Sequence, residues 1–294
     1  MKELSFVSLS SSKNLESLEI NILLEKLLQS HISAISSLRA IYADLENTID
    51  KSLHNLKIGG RLIFVGAGTS GRLGVIESSE LYPTFSWPKN KAKFLIAGGK
   101  SAMFIAKEGA EDDKNLAIAD AKKVKFNPTD VVFCLSASGK TPYTHTILQI
   151  AKNAGSLTIG ISCAKGSPIL KDSHQKLYLN TGDEVIRGST RMAAGSAQKA
   201  VLNILTTTIM IKLNRVYDCH MIDLAMTNKK LFERGISIVA SLCGVNLIVA
   251  KKAVVKSDHN LRLACVFLKY GNIEFAKKML RLHNNDLRKC LEQE

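Results

Sequence analysis

Apolar positions near the start of the chain recur at helical spacing: Leu18, Ile22, Leu23, Leu27, Leu28, Ile32, Ile35, Leu38, Ile41, Leu45, Ile49, Leu53 and Leu56. This pattern predicts two helices over 15–57, broken near Ser30 and packed on the core or on a partner subunit. At Arg61 the period changes. Short apolar runs at 61–65, 93–97, 131–135, 157–162 and 175–179 alternate with helical stretches. The alternation predicts an α/β fold, a parallel sheet sandwiched by helices with its ligand loops at the carboxyl ends of the strands. Residues 193–211 carry Ala197, Val201, Ile204, Leu205, Thr208 and Ile209 on one stripe, the longest helical pattern in the chain, with Ser189 or Thr190 as its expected N-cap. Beyond Asn228 the strand pattern stops, and helical pieces are separated by Gly244, Ser257-Asp258 and Gly271-Asn272. The expected organisation is an N-terminal helical segment (1–57), an α/β domain (58–227) and a small C-terminal helical domain (228–294).

One strand-to-helix corner stands out. The apolar run ending at Val65 stops at Gly66-Ala-Gly-Thr-Ser-Gly71, where the glycines allow tight backbone turns and Thr69 and Ser70 stand where a helix would be capped. Such a corner offers unpaired N–H groups and the positive end of a helix dipole to an anion, usually phosphate. The spacing satisfies the dinucleotide pattern GxGxxG, yet no acidic residue follows at the end of a second strand to hold a ribose. A second corner of the same chemistry follows 131–135, at Ser136-Ala-Ser-Gly-Lys-Thr141. Two hydroxyl-rich corners on one sheet can close on one phosphate, with Ser136, Ser138, Gly139 and Thr141 as its holders and Thr69 and Ser70 beside them.

Composition narrows the class. A chain of 294 residues, 46% hydrophobic with 5 prolines, has enough apolar material for a compact core. Its longest weakly polar run, 236–250, is broken by Ser241, Gly244 and Asn246 and is too short and mixed to cross a bilayer. The start, Met-Lys-Glu-Leu-Ser, lacks the pattern of a secretory signal, so the expectation is a cytoplasmic protein with no membrane association. Six scattered cysteines without a CxxC spacing read as reduced thiols, and with seven scattered histidines they assemble no metal site. The net charge of +14 favours acidic ligands. A phosphorylated sugar and a nucleic acid both qualify, but the lysine clusters at 89–93, 122–125 and 251–256 lack interleaved aromatics and a helix-turn-helix pattern, so nucleic acid is not expected.

These motifs also carry a resemblance. Gly66-Ala-Gly-Thr-Ser-Gly-Arg-Leu-Gly74, Ser79-Glu80 with Pro83-Thr84-Phe85, Ile96-Ala-Gly-Gly99, Glu108-Gly-Ala-Glu-Asp112, Ser136-Ala-Ser-Gly-Lys-Thr-Pro-Tyr143, Gly188-Ser-Thr-Arg-Met192, Gly195-Ser-Ala-Gln-Lys199 and Asn203-Ile-Leu-Thr206 stand in the order seen in the N-acetylmuramic acid 6-phosphate etherases. The resemblance is close over about residues 60–228 and looser beyond. It implies the sugar isomerase (SIS) fold, a dimer and a sugar-phosphate substrate without a cofactor. It departs near the start, where the etherases have a Thr-Glu pair and this chain has Ser10-Ser11 before Asn14. A sugar-phosphate sensor or an isomerase of the same fold would keep the serine loops but lose the glutamate motifs.

The implied reaction cleaves the D-lactyl ether, and Glu80 and Glu111 match the two catalytic glutamates. Glu80 would give a proton to the ether oxygen, and Glu111 would take one from C2. An alkyl ether is a poor leaving group, so elimination beside the C1 aldehyde of the open-chain sugar, followed by addition of water, needs one such acid and one such base. Glu80 stands among Ile76, Leu81, Tyr82 and Phe85, where burial would keep a carboxyl protonated. Taken without the resemblance, the run around Glu111 reads first as a solvated acidic turn, and the resemblance reverses that preference. Ser189, Thr190 and Arg191 are further candidates for contact with the sugar or its carboxylate. Ser70 and Glu80 are ten residues apart, about 15 Å along a straight helix, so either the helix breaks or Glu80 faces a neighbouring subunit's pocket.

Overall fold

The computed structural model describes residues 14–292. Helices α1 (Ile20–Ser36) and α2 (Tyr42–Lys57) lead into β1 (Leu62–Gly66), α3 (Gly68–Phe85), β2 (Ala92–Ile96), α4 (Lys114–Val124), β3 (Val131–Leu135), α5 (Pro142–Asn153), β4 (Leu157–Ser162), α6 (Pro168–Asp172), β5 (Gln175–Tyr178) and α7 (Ala193–Lys212). Helices α8 (Lys229–Cys243), α9 (Leu247–Lys256), α10 (Leu261–Tyr270), α11 (Ile273–Leu282) and α12 (Leu287–Leu291) complete the chain.

The five strands are all parallel, in the order β2-β1-β3-β4-β5. Their residues alternate between two cores, as the pleat requires of a sheet covered on both faces. Leu62, Phe64, Val131, Phe133 and Leu135 face a core shared with α1, α2, α3 and α7. Ile63, Val65, Val132 and Cys134 face the other, with α4, α5 and Ile169 of α6. Phe64 and Phe133, opposite each other in register, stack with ring centroids 5.2 Å apart. The expected α/β sandwich is therefore present, with β3 and β4 at the expected bounds and the other strands displaced by one residue at one or both ends.

The break in the opening helices lies at 37–41, in a 3-10 segment, and not at Ser30. Ser30 is buried in mid-helix. Ser37, in contrast, donates its hydroxyl to the Ala34 carbonyl at 2.7 Å and draws the chain into a tighter turn.

Helices α8–α12 bury a separate apolar core that includes Ile238, Val239, Val254, Ala264, Val266 and Leu280. Charged hydrogen bonds fasten it to the sheet domain. Asp223 accepts from Arg262 at 2.5 Å and from Arg215 at 3.2 Å, and Arg215 also donates to the carbonyl of Phe85 at the end of α3. Arg262 is itself buried and donates to the carbonyls of Asn214 and Asn285, so its charge and donors are satisfied.

Candidate active site

Strand order reverses between β1 and β3, and their carboxyl ends, Gly66 and Leu135, are register partners. A crevice at such a reversal is where an open α/β sheet holds its ligand, and both hydroxyl-rich corners lie there.

The glycines of the first corner divide the work. Helix α3 begins at Gly68, whose φ of +51° turns the chain, with Ala67 in the cap position and no side-chain cap. Gly71 instead permits close packing, since a Cβ there would stand 2.7 Å from the Ile96 side chain. Thr69 and Ser70 therefore belong to the first helical turn and do not cap it. Ser70 is buried and donates its hydroxyl to Gln198 of α7 at 2.8 Å. Thr69 is half-buried against the first turn of α7, where a Cβ on Gly195 would lie 3.5 Å from its methyl and 3.7 Å from the carbonyl of Thr190.

The second corner is organised around Ser136. Its buried hydroxyl accepts from the amide of Gly139 at 3.0 Å, and lies 2.8 Å from the hydroxyl of Thr141 and 3.3 Å from that of Ser138. Gly139 has φ of +63°, and a Cβ there would come within 2.1 Å of Ser167 Oγ and 2.5 Å of Ser162 Oγ, so only glycine fits. Ser138 stays exposed at the tip.

Glu111 is exposed in a turn that helps to line a small pocket of about 170 Å³ with Gly68, Arg72, Ala97 and Glu108. Its carbonyl accepts the amide of Tyr143 at 2.9 Å, which ties this turn to the helix that follows the serine loop. One chain thus brings together the Glu111 turn, the Ser136–Thr141 loop and the start of α3.

Glu80 is not among them. Residues 68–85 form one helix, and at about 1.5 Å per residue Glu80 lies about 12 Å further along it than Arg72. The expected burial of Glu80 is also corrected, since its side chain is 57% exposed. Helix α7 covers α3 one turn earlier, at Glu77, whose side chain is 3% exposed and accepts from Lys199 at 2.8 Å, Asn203 at 2.9 Å and Thr206 at 2.5 Å. Lys199 also reaches Glu80 at 3.3 Å.

The cap of α7 differs from expectation as well. Met192 holds the cap position, and the carboxylate of Glu184 accepts from the amides of Ala193 and Ala194 at 3.0 Å each, so neither Ser189 nor Thr190 caps this helix. A carboxylate at a helix start satisfies two orphan donors and complements the dipole. Ser189 is half-buried, and Thr190 and Arg191 are exposed in the turn just before the helix. Nearby, burial pushes the Cys163 thiol up to about 11, against the lowering hydrogen bond of Thr181 and with the charge of Glu184 adding to the rise, so it is a protonated thiol at neutral pH. Among the described residues no three His, Cys, Asp or Glu side chains are grouped to hold a metal ion, and no single helix is long and apolar enough to cross a membrane. Ser10 and Ser11 lie outside the described residues.

Glu77, Gln198 and Glu184 are contributors that the pattern of the chain did not single out. Gln198 and Lys199 stand within Gly195-Ser-Ala-Gln-Lys199, a motif visible in the sequence without a role, whereas Glu184 and Glu77 have only their charge to mark them.

The sheet order and the serine corner at its reversal define a SIS-domain protein. Residues 115–208 match the SIS domain, 44–152 match the N-terminal SIS domain of glucokinase regulatory protein, and 218–266 match the C-terminal lid domain of the same protein. A Bacteroides fragilis structure described as a phosphosugar isomerase involved in capsule formation shares the fold, with a TM-score of 0.52 and 20% identity over 68% of this chain and 95% of that one. The chain belongs to the N-acetylmuramic acid 6-phosphate etherase family. It is 42% identical to the etherase of Lactobacillus gasseri over 85% of this chain and 84% of that one, and 36% identical to that of Francisella tularensis over 94% and 93%.

Proposed function

We propose that this protein cleaves the D-lactyl ether of N-acetylmuramic acid 6-phosphate, giving N-acetylglucosamine 6-phosphate and D-lactate. It is a carbon–oxygen lyase acting in the recycling of cell-wall amino sugars. The substrate is a phosphorylated sugar, and the reading assigns it to residues 58–227 and to the cytoplasm. The observation that carries the proposal is that both glutamates of the family stand at exposed positions, Glu111 beside the serine loop and Glu80 on the outer face of α3.

In this reading the hydroxyls and amides of Ser136–Thr141 hold the phosphate, with Thr69 beside them. Ser189, Thr190 and Arg191, at the start of α7, face the sugar. Ser70 contributes by fixing α3 to Gln198. Glu111 removes the C2 proton of the open-chain sugar. Glu80 protonates the ether oxygen as the bond from C3 to lactate breaks. Water then adds at C3, returning a proton to Glu80, while Glu111 returns its proton to C2. Atoms balance as substrate plus water giving the two products, with general acid and base each worth about 10²–10⁴-fold.

Glu80 and Glu111 then come from different subunits of a homodimer. The face around Glu80 supports this arrangement. Leu24, Leu28, Ile32 and Ile35 form an exposed stripe on α1, Ile204 and Ile211 stand exposed on α7, and Ile76 is exposed on α3 one turn before Glu80. Helix α7, which carries two of them, packs against both α1 and α3. Exposed apolar residues on neighbouring helices favour association, and a two-fold pair would build two equal sites across them.

Incubation of the purified protein with N-acetylmuramic acid 6-phosphate should release D-lactate in step with N-acetylglucosamine 6-phosphate. In heavy-oxygen water the label should enter the C3 hydroxyl of the sugar. Failure to release lactate, or label found only in the lactate, would contradict the proposal.

A further inference from the structure

Two carboxylates on α3, Glu77 and Glu80, share one ammonium on α7, and they are held very differently. Glu77 is buried and takes three donors, from Lys199, Asn203 and Thr206. Removing any one donor would leave an expensive buried acceptor, so Glu77 is a fixed anchor. Glu80 is mostly exposed, and Lys199 is its ion-pair partner, at 3.3 Å. An ordinary surface pair of this kind contributes little, because both side chains lose freedom when they pair. Lys199 differs from a surface lysine because Glu77 has already restricted it: its side chain is 31% exposed and spans the α3–α7 seam. Burial alone pulls the Lys199 ammonium down, but the hydrogen bond and charge of Glu77, followed by Glu80, outweigh it and hold the group above the ordinary lysine value. The ammonium therefore stays charged throughout the neutral range.

We propose that Lys199, held by Glu77, is the positioning residue for Glu80 in ether cleavage. The inference rests on Glu80 acting as proton donor. Glu80 gives its proton to the ether oxygen as the C3–O bond breaks and becomes a carboxylate. It remains one until the incoming water returns a proton, and Lys199 is the fixed cation beside that charge. An ammonium beside a carboxyl favours its charged form, so Lys199 acts on the state that follows proton donation, holding the carboxylate in place for the incoming water. It also fixes the direction of a side chain that would otherwise sample several rotamers in solvent. The same network ties α3 to α7 at Glu77, one turn before Glu80.

The test compares steady-state kinetics on N-acetylmuramic acid 6-phosphate for the wild type, Glu80→Gln, Lys199→Met, Lys199→Arg and the Glu80→Gln/Lys199→Met pair. Lys199→Met should lower kcat by up to about 10²-fold, the scale of a misplaced catalytic group, while KM changes by less than about threefold. Lys199→Arg should recover part of kcat. In the Glu80→Gln background, Lys199→Met should cost nothing further, because the lysine acts through the glutamate. A loss of the same size in both backgrounds, or full kcat in Lys199→Met, would overturn the inference. A Glu77→Gln/Lys199→Met variant removes the stranded buried charge. It should restore the melting temperature but not kcat, and recovery of kcat would assign Lys199 a purely structural role and overturn the inference. Wild-type turnover by Glu80→Gln would overturn the prior reading of Glu80 itself, an outcome distinct from normal Lys199→Met kinetics with an inactive Glu80→Gln.

Discussion

The amide of Tyr143 donates to the carbonyl of Glu111 at 2.9 Å. This single bond joins the turn that carries Glu111 to the first turn of α5, directly after the Ser136–Thr141 loop. The proposed base and the proposed phosphate holders are therefore one mechanical unit, while Glu80, about 12 Å further along α3 than Arg72, is not part of it.

The first prediction follows from that separation. Glu111→Gln keeps the backbone bond to Tyr143 and changes only the exposed side chain, so the fold and phosphate affinity should survive. Turnover should fall by about 10²–10⁴-fold, the usual cost of losing a positioned base. Glu80→Gln should behave alike, and the pair of measurements is turnover alongside the inhibition constant for inorganic phosphate.

Gly139→Ala tests the serine loop. The new methyl would meet Ser167 Oγ at 2.1 Å and force a left-handed φ on alanine. The conformation alone costs about 1–3 kcal/mol. Thermal unfolding should show a drop of about 2–4 °C for each kcal/mol lost, and KM should rise as the loop opens. An unchanged melting temperature with unchanged KM would show that the loop adapts without cost.

A pH effect on stability comes from His174. Its Nδ1 accepts the amide of Thr158 at 3.1 Å, so protonating that nitrogen breaks a bond made to β4. Burial, then the charges of Lys152 and Lys51, hold this imidazole below its ordinary value. The unfolded state therefore binds the proton more readily, with an ordinary value of about 6.5. Stability should be unaffected above that pH and should decline as pH falls through 6.5 toward the lower folded value. His174→Gln should flatten this part of the curve of melting temperature against pH.

Much of the fold was readable because its core signals are continuous. Residues 131–135 are an uninterrupted apolar run, Leu157, Ile159 and Ile161 alternate along 157–162 toward one core, and both strands fall at the expected bounds. The helix break escaped because no glycine or proline marks it: Ser30 and Ser37 are chemically alike, and Ser30 is buried within α1 whereas Ser37 opens the 3-10 segment. The caps escaped for a related reason. Ser189 and Thr190 are the usual capping types, but Glu184 reaches the same amides from further back in the chain, and local spacing carries no trace of that contact. Glu77 and Glu80 lie three residues apart on one helix, and only the placement of α7 determines which is buried.

The central claim is that each site combines Glu80 of one subunit with Glu111 and the serine loop of the other. Glu80→Gln and Glu111→Gln proteins, each inactive alone, are mixed under conditions that exchange subunits, and exchange is verified by mass. At random mixing half the dimers are hybrids, each with one intact site, so activity should recover to about a quarter of the wild-type value. Activity that stays at background in verified hybrids would show that both glutamates serve their own subunit and would contradict the shared site.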